Sequence, residues 1–316
     1  MAGTFIPLMG HVISNAPKAG RHPMQTATAL LQVLSAGIGT GAVYALVALG
    51  FNVVFKSTGA MNFAQGEWVV MGGMVTALLI GAFSSIGLAV VTAVVLVGVV
   101  GLLSERLTVQ PLKKPDALVI TLVTIGLSIV SRSLVMLVLG KKPVGYAGFS
   151  GNTALSVGGV SIQSQTLWII AITLAFLVVM HAFFERTILG KALRAAAADR
   201  EAAAIVGVNV GSTVLLSFGI AALAGALAGA IVTPLTLASY DQGAMFGFKG
   251  FSAAMLGGLG SLPGAVVGGL ALGLLEAFGS FYISSAFKDA IAFAVLLLIL
   301  FVRPSGLLGR ADIVKV

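Results

Sequence analysis

The spacing of charged residues constrains this chain more than any other feature of its sequence. No Asp, Glu, Lys or Arg occurs in 22–55, 68–104, 143–184, 202–240 or 250–275, gaps of 34, 37, 42, 39 and 26 residues. A helix needs about 20 apolar residues to cross a hydrocarbon core of about 30 Å, and several of these gaps are long enough. Only 9% of the 316 residues are charged and 58% are hydrophobic, against about a quarter charged in a soluble domain. The chain reads as an all-α polytopic membrane protein. Its apolar runs are continuous instead of alternating over about ten residues, which excludes a membrane β-barrel.

The formal net charge of +8 does not point to nucleic acid, because the basic residues stand in short connections between apolar runs, as the positive-inside bias requires. The absence of cysteine removes thiol catalysis, disulfides and zinc–thiolate sites. Lys18 and Arg21 precede an apolar run much longer than the 7–15 residues of a signal-peptide core, so that run reads as the first membrane segment. Eight segments follow from the pattern: Ala27–Phe55, Trp68–Phe83, Ile86–Leu103, Ala117–Leu139, Thr166–Phe184, Ser212–Ala238, Gly264–Phe281 and Ala290–Val302, the last extending back into Ser284–Asp289. They form one membrane domain over 27–310, between an N-terminal tail (1–26) and a C-terminal tail (311–316).

Two stretches fit no simple span. The polar Gly59–Gly66 joins the first two segments at apparent membrane depth, and 246–262 is apolar but short and broken by glycine. Irregular backbone inside a bilayer persists only where protein or a water-filled cavity covers it, and such broken segments point to a transport path; the alternative is an ordinary loop and a packing helix. Residues 140–165 read as a flexible exposed loop. The connection 185–211 is different. From Lys191 to Val206 nearly every residue is a strong helix former, and Gly207 offers a left-handed cap. The expectation is one short, charged, alanine-rich helix outside the membrane.

Within that connection Glu201-Ala202-Ala203 precedes Gly207 by the spacing of the EAA–Gly motif of ABC importer permeases. Gly41–Phe51, Gly59–Glu67, Leu189–Asn209, Gly247–Gly264 and Arg303–Gly309 resemble the LivH-type branched-chain amino acid permeases, in order and over about 27–310; position 65 is Gln where many relatives have His. The resemblance implies that 185–211 is a cytoplasmic coupling element, with Arg194, Arg200, Glu201, Ala202, Ala203 and Gly207 engaging an ATPase. It implies a second, homologous permease subunit, two ABC ATPase subunits that use ATP and Mg, an extracytoplasmic solute-binding protein, and a place in the lipid of a bacterial inner membrane. This chain would itself bind no cofactor: it has no G-x-x-x-x-G-K-[ST] phosphate loop. The family also includes permeases for urea, amides and small aromatic acids.

Among polar residues at membrane depth, Tyr44, Asn52, Asn62, Gln65 and Glu67 gather in sequence around the first bend, either as weak stops for a polar solute or as hydrogen-bonding glue between helices. Arg132 inside the fourth segment needs a partner or a water-filled outlet. It serves the carboxylate of the solute, forms a structural pair with Glu67 or Glu276, or snorkels towards one face. A secondary transporter would be expected to show intramembrane acids, of which only Glu67 and Glu276 are present. An intramembrane enzyme lacks its motifs; a passive channel would show itself by ATP-independent flux. Five segments before a cytoplasmic 185–211 and three after it put both tails outside, against their basic residues. One extra crossing in each half, drawn from the two odd stretches, would bring both tails into the cytoplasm.

Overall fold

A computed structural model describes residues 23–83, 85–112, 116–151, 153–157, 160–303 and 305–309. The tail residues 1–22 and 310–316, with Lys18, Arg21, Arg310, Asp312 and Lys315, lie outside the described residues. In chain order the elements are α1 (Pro23–Thr58), α2 (Gln65–Ile80), α3 (Ile86–Thr108), α4 (Ala117–Val138), β1 (Ala154–Val157), β2 (Val160–Gln163), α5 (Ser164–Arg186), α6 (Ile188–Ala198), α7 (Arg200–Ile205), α8 (Val210–Thr236), α9 (Gly243–Gly257), α10 (Leu262–Tyr282), a 3₁₀ turn (Ser285–Phe287) and α11 (Lys288–Val302). Each of the eight expected segments corresponds to a helix. Among the described residues, α1, α3, α4, α5, α8 and α10 are long and apolar enough to cross a membrane.

The helix α1 begins inside the stretch assigned to the N-terminal tail, because Pro23 is preorganised for a first helical turn, where its missing N–H leaves nothing unpaired. Its 36 residues rise about 54 Å, and α8, α9, α10 and α5 pack around it. Small residues permit the closest of these approaches. A Cβ on Gly273 in α10 would lie 2.3 Å from the Gly41 nitrogen of α1, and one on Gly229 in α8 would lie 1.8 Å from the Val69 carbonyl of α2. Backbones meet there at the distances that small residues allow in lipid. By contrast α3, α4 and α5 bury little of their surface in the bundle, and their exposed faces carry Leu, Val and Ile.

Both odd stretches are packed inside the protein. Ala60, Asn62 and Ala64 of the bend are buried, and Gly59 supplies the left-handed turn that leaves α1 (φ +71). The 246–262 stretch is most of α9 plus a turn, and α9 begins against the start of α2, where a Cβ on Gly66 would lie 1.9 Å from the Gly243 carbonyl oxygen. The other end of α9 is closed by the chain's own C-terminal segment: the Leu307 and Leu308 amides donate to the Leu256 and Gly257 carbonyls at 2.8 and 2.9 Å.

Two expectations are corrected. Residues 140–165 are not a free loop. They contain the antiparallel hairpin β1–β2, pair Val144 with Ala238 after α8, and donate the Tyr146 hydroxyl to the Ala230 carbonyl of α8. The alanine-rich stretch is not one helix but two, α6 and α7. Asp199 between them is extended (φ −157°, ψ 116°), and its carboxylate accepts the Glu201 and Ala202 amides at 2.9 and 3.0 Å. An aspartate that caps the following turn outcompetes continuation of the preceding one.

Candidate functional site

The α5–α8 connection is a built surface. Thr187 caps α6 by accepting the Gly190 amide at 2.9 Å, and Asn209 caps α8 by accepting the Ser212 amide at 3.1 Å. Gly207 (φ +89) reverses the chain, with the Val208 amide returning to the Ala203 carbonyl at 2.9 Å. Gly190, Leu193, Ala196 and Ala203 form the buried face. The outward face carries Ile188, Leu189, Ile205 and Val206, which are 85%, 56%, 86% and 76% exposed. Of the residues expected there from sequence, Glu201, Ala202 and Gly207 are exposed, whereas Ala203 anchors the loop inward. Arg194 pairs with Glu185 of α5, and Arg200 donates to the Ser57 carbonyl at the end of α1. Sequence reasoning missed the four apolar residues. Their signal was large apolar side chains at the two ends of a charged, alanine-rich stretch.

The polar residues at membrane depth fall into separate groups. Around the bend, the Asn62 Oδ1 accepts the Ala64 amide at 3.1 Å, and the Gln65 Nε2 donates to the Ala221 carbonyl of α8 at 3.0 Å. Glu67 is buried and accepts from Ser128 Oγ at 3.0 Å and from the Arg132 guanidinium at 3.1 Å, both in α4. Arg132 therefore takes the Glu67 partner, and its side chain is about one-third exposed. Around this group the Asn62 Nδ2, Gln65 Oε1, Glu67 Oε2 and Arg132 Nε are buried without a hydrogen-bond partner.

Tyr44 and Asn52 do not join that group. Asn52 locks the α9–α10 turn to α1, donating to the Ser261 carbonyl at 2.8 Å and accepting the Gly260 amide at 3.2 Å. Tyr44 donates to Glu276 at 2.7 Å, within an ionic cluster the sequence did not reveal, buried at Glu276 and Lys249 and half-exposed at Lys288 and Asp289. Glu276 meets Lys249 of α9 at 2.9 Å and Lys288 of α11 at 3.0 Å, and Lys249 also meets Asp289 at 2.7 Å. The Lys249 ammonium lies 5.7 Å from the centre of the Tyr44 ring, a favourable cation–π placement. Glu276 is thus committed to lysines and not to Arg132. A lone Lys249 in an apolar, glycine-broken stretch was the available signal, since an ammonium at that depth requires a carboxylate.

A family model described as "Branched-chain amino acid transport system / permease component" matches residues 33–300. The chain is 33% identical over 305 residues to the high-affinity branched-chain amino acid transport system permease protein LivH of Escherichia coli K12, covering 90% of this chain and 97% of that one. It is 34% identical over 301 residues to the corresponding protein BraD of Pseudomonas aeruginosa, covering 90% and 98%. A probable branched-chain amino acid transport permease protein LivH of the archaeon Methanocaldococcus jannaschii is 24% identical over 280 residues, 84% and 88% of the two chains. With the match running from the first turns of α1 to the end of α11, the chain belongs to the permease-component family of branched-chain amino acid transport systems.

Proposed function

We infer that this chain is the membrane-embedded permease subunit of an importer for branched-chain amino acids, driven by ATP that separate ATPase subunits hydrolyse with Mg. Two such subunits, a second homologous permease and an extracytoplasmic solute-binding protein complete the assembly, in a bacterial inner membrane. The observation that carries this reading is the capped, two-helix connection between α5 and α8. Its apolar residues point away from the bundle, where a lone subunit would leave them in water. Exposed apolar side chains on a connection rimmed by polar ones suit a protein docking surface. The ATPase groove is the occupant that the family supplies.

Motion follows from the construction. ATP closes the ATPase pair, the docked connection moves with it, and α5 and α8 are displaced at their ends. The switch in access takes place between the two permeases. On this side the path runs past the Asn62–Gln65–Glu67–Arg132 group, whose unpartnered polar atoms offer weak stops. Weak stops suit a solute that a binding protein delivers and that must leave quickly.

Glutamate placed at both Ile188 and Ile205 tests the reading. Each isoleucine, if buried by the partner, contributes about 2 kcal/mol, so ATPase co-purification should fall at least tenfold while membrane insertion stays normal. Retention of the ATPases by the double variant refutes this docking surface.

A further inference from the structure

We propose that Arg200 is a positioning residue that ties the docking loop to the end of α1 and passes the loop's displacement into the 59–64 bend. Sequence reasoning placed it on the ATPase-facing side. Its guanidinium instead donates to the carbonyl of Ser57. That oxygen is one of the last four of α1, which have no partner within the helix, and a cation at a helix C-terminus is electrostatically favoured. The Met61 amide, four residues on, turns away to Thr121 Oγ1 of α4 at 3.3 Å, so the arginine stands in for a bond the helix has given up.

Ser57 transmits what it receives. It is buried, and its hydroxyl meets Ser217 Oγ of α8 at 2.6 Å, which fixes the end of α1 laterally. Two residues later Gly59 turns with φ +71, and a Cβ there would meet nothing within 4 Å, so the turn has room to swing. Beyond it the bend is fastened to α4: the Phe63 amide donates to Thr124 Oγ1 at 3.1 Å, and that hydroxyl returns to the Met61 carbonyl at 3.1 Å. Arg200 thus meets the end of α1, the backbone carries on from there into the bend, and the bend is hydrogen-bonded to α4, the helix that also carries Arg132, the partner of Glu67. Arg200 itself is held by the Asp199 cap on the next two amides. The same Ser57 borders a small notch whose lining includes Val53 and Lys56 of α1 and Leu193 and Arg194 of the loop, so the arginine is a polar tie beside a gap. A contiguous network becomes a coupling route only when a coupling measurement supports it.

This inference rests on the docking loop receiving an ATPase, and the test separates the two. The complete importer, with both permeases, the ATPases and the binding protein, is reconstituted in proteoliposomes with Arg200→Gln or Arg200→Lys. Both variants should retain the ATPases at wild-type stoichiometry. Uptake per ATP hydrolysed should fall about tenfold for Arg200→Gln, the weight of one charge-assisted hydrogen bond. Arg200→Lys should recover part of it, because an ammonium donates to the same carbonyl, and amide exchange across 57–64 should rise in the order wild type, Lys, Gln. If the glutamine variant assembles poorly, an intermediate loss of uptake per ATP in the lysine variant carries the result. Wild-type coupling in both variants overturns the proposal, and loss of the ATPases from either returns Arg200 to a docking role. Failure of the wild-type permease to retain ATPases overturns the functional reading instead.

Discussion

Glu276 is served by Tyr44, Lys249 and Lys288, on three different elements, and with Asp289 the cluster holds two carboxylates against two ammonium groups. Removing one member of a buried pair strands its partner's charge, at about 3 kcal/mol or more. Lys249→Met should therefore lower the midpoint of thermal unfolding in detergent. Adding Glu276→Gln should restore most of the loss, because the amide still accepts from Tyr44 and the remaining Lys288 and Asp289 balance. A double variant as unstable as the sum of its singles argues against the pair. The same logic applies to Arg132→Leu, which leaves Glu67 buried without its cation. That variant should assemble poorly on size-exclusion chromatography, and Glu67→Gln in the same chain should rescue assembly. Normal assembly of Arg132→Leu alone would return Arg132 to a solute role.

At the scale of elements, the docking loop shows why a break matters. Asp199 rotates α7 away from the axis of α6, which brings Arg200 to Ser57 while Ile205 points outward. Asp199→Ala removes a cap that contributes about 1 kcal/mol and places one more strong helix former in an alanine run. Weaker ATPase binding by about fivefold is the expected result in a titration, and unchanged affinity would mean the break is incidental. The membrane-length helices, six among the described residues against eight expected segments, were legible because a charge in hydrocarbon is costly and its absence over 26–42 residues leaves few other readings. The Asp199 break was written in the sequence as an N-cap residue ahead of Arg-Glu-Ala-Ala, but alanine propensity on both sides masked it. The partners of Glu67 and Glu276 were less legible. Glu67 meets Arg132 across 65 residues, and Tyr44 meets Glu276 across 232; local patterns carry no such pairing. For a structural pair the sequence offered Arg132 two acids beside the solute carboxylate, and packing set it against Glu67.

The whole molecule has a direction that its charges alone did not supply. Arg200 joins the docking loop to the last turn of α1, and α1 is about 54 Å long, so Pro23 lies at the opposite end of the bundle. The C-terminal segment comes back to the docking-loop side: Leu307 and Leu308 close the end of α9, next to the turn that Asn52 holds six residues before the end of α1. Parity agrees on the C-terminal side. Counted as a crossing, the α9 helix, which runs from the start of α2 back toward that turn, is the extra one that the expectation required after the loop. The bend at 59–64 reverses the chain and supplies none before it. With the loop in the cytoplasm, Pro23 at the start of α1 falls on the opposite side and the Leu307–Leu308 segment on the same side as the loop. The chain has no cysteine, so single cysteines report topology without background. A cysteine at Leu189 or Asp312 should react with a membrane-impermeant maleimide only after the membrane is opened. One at Lys18 should react in intact cells. Protection of position 18 together with position 312 would restore an even number of crossings before the loop. It would require α1 to end on the far side from Arg200, which the Arg200–Ser57 bond does not permit.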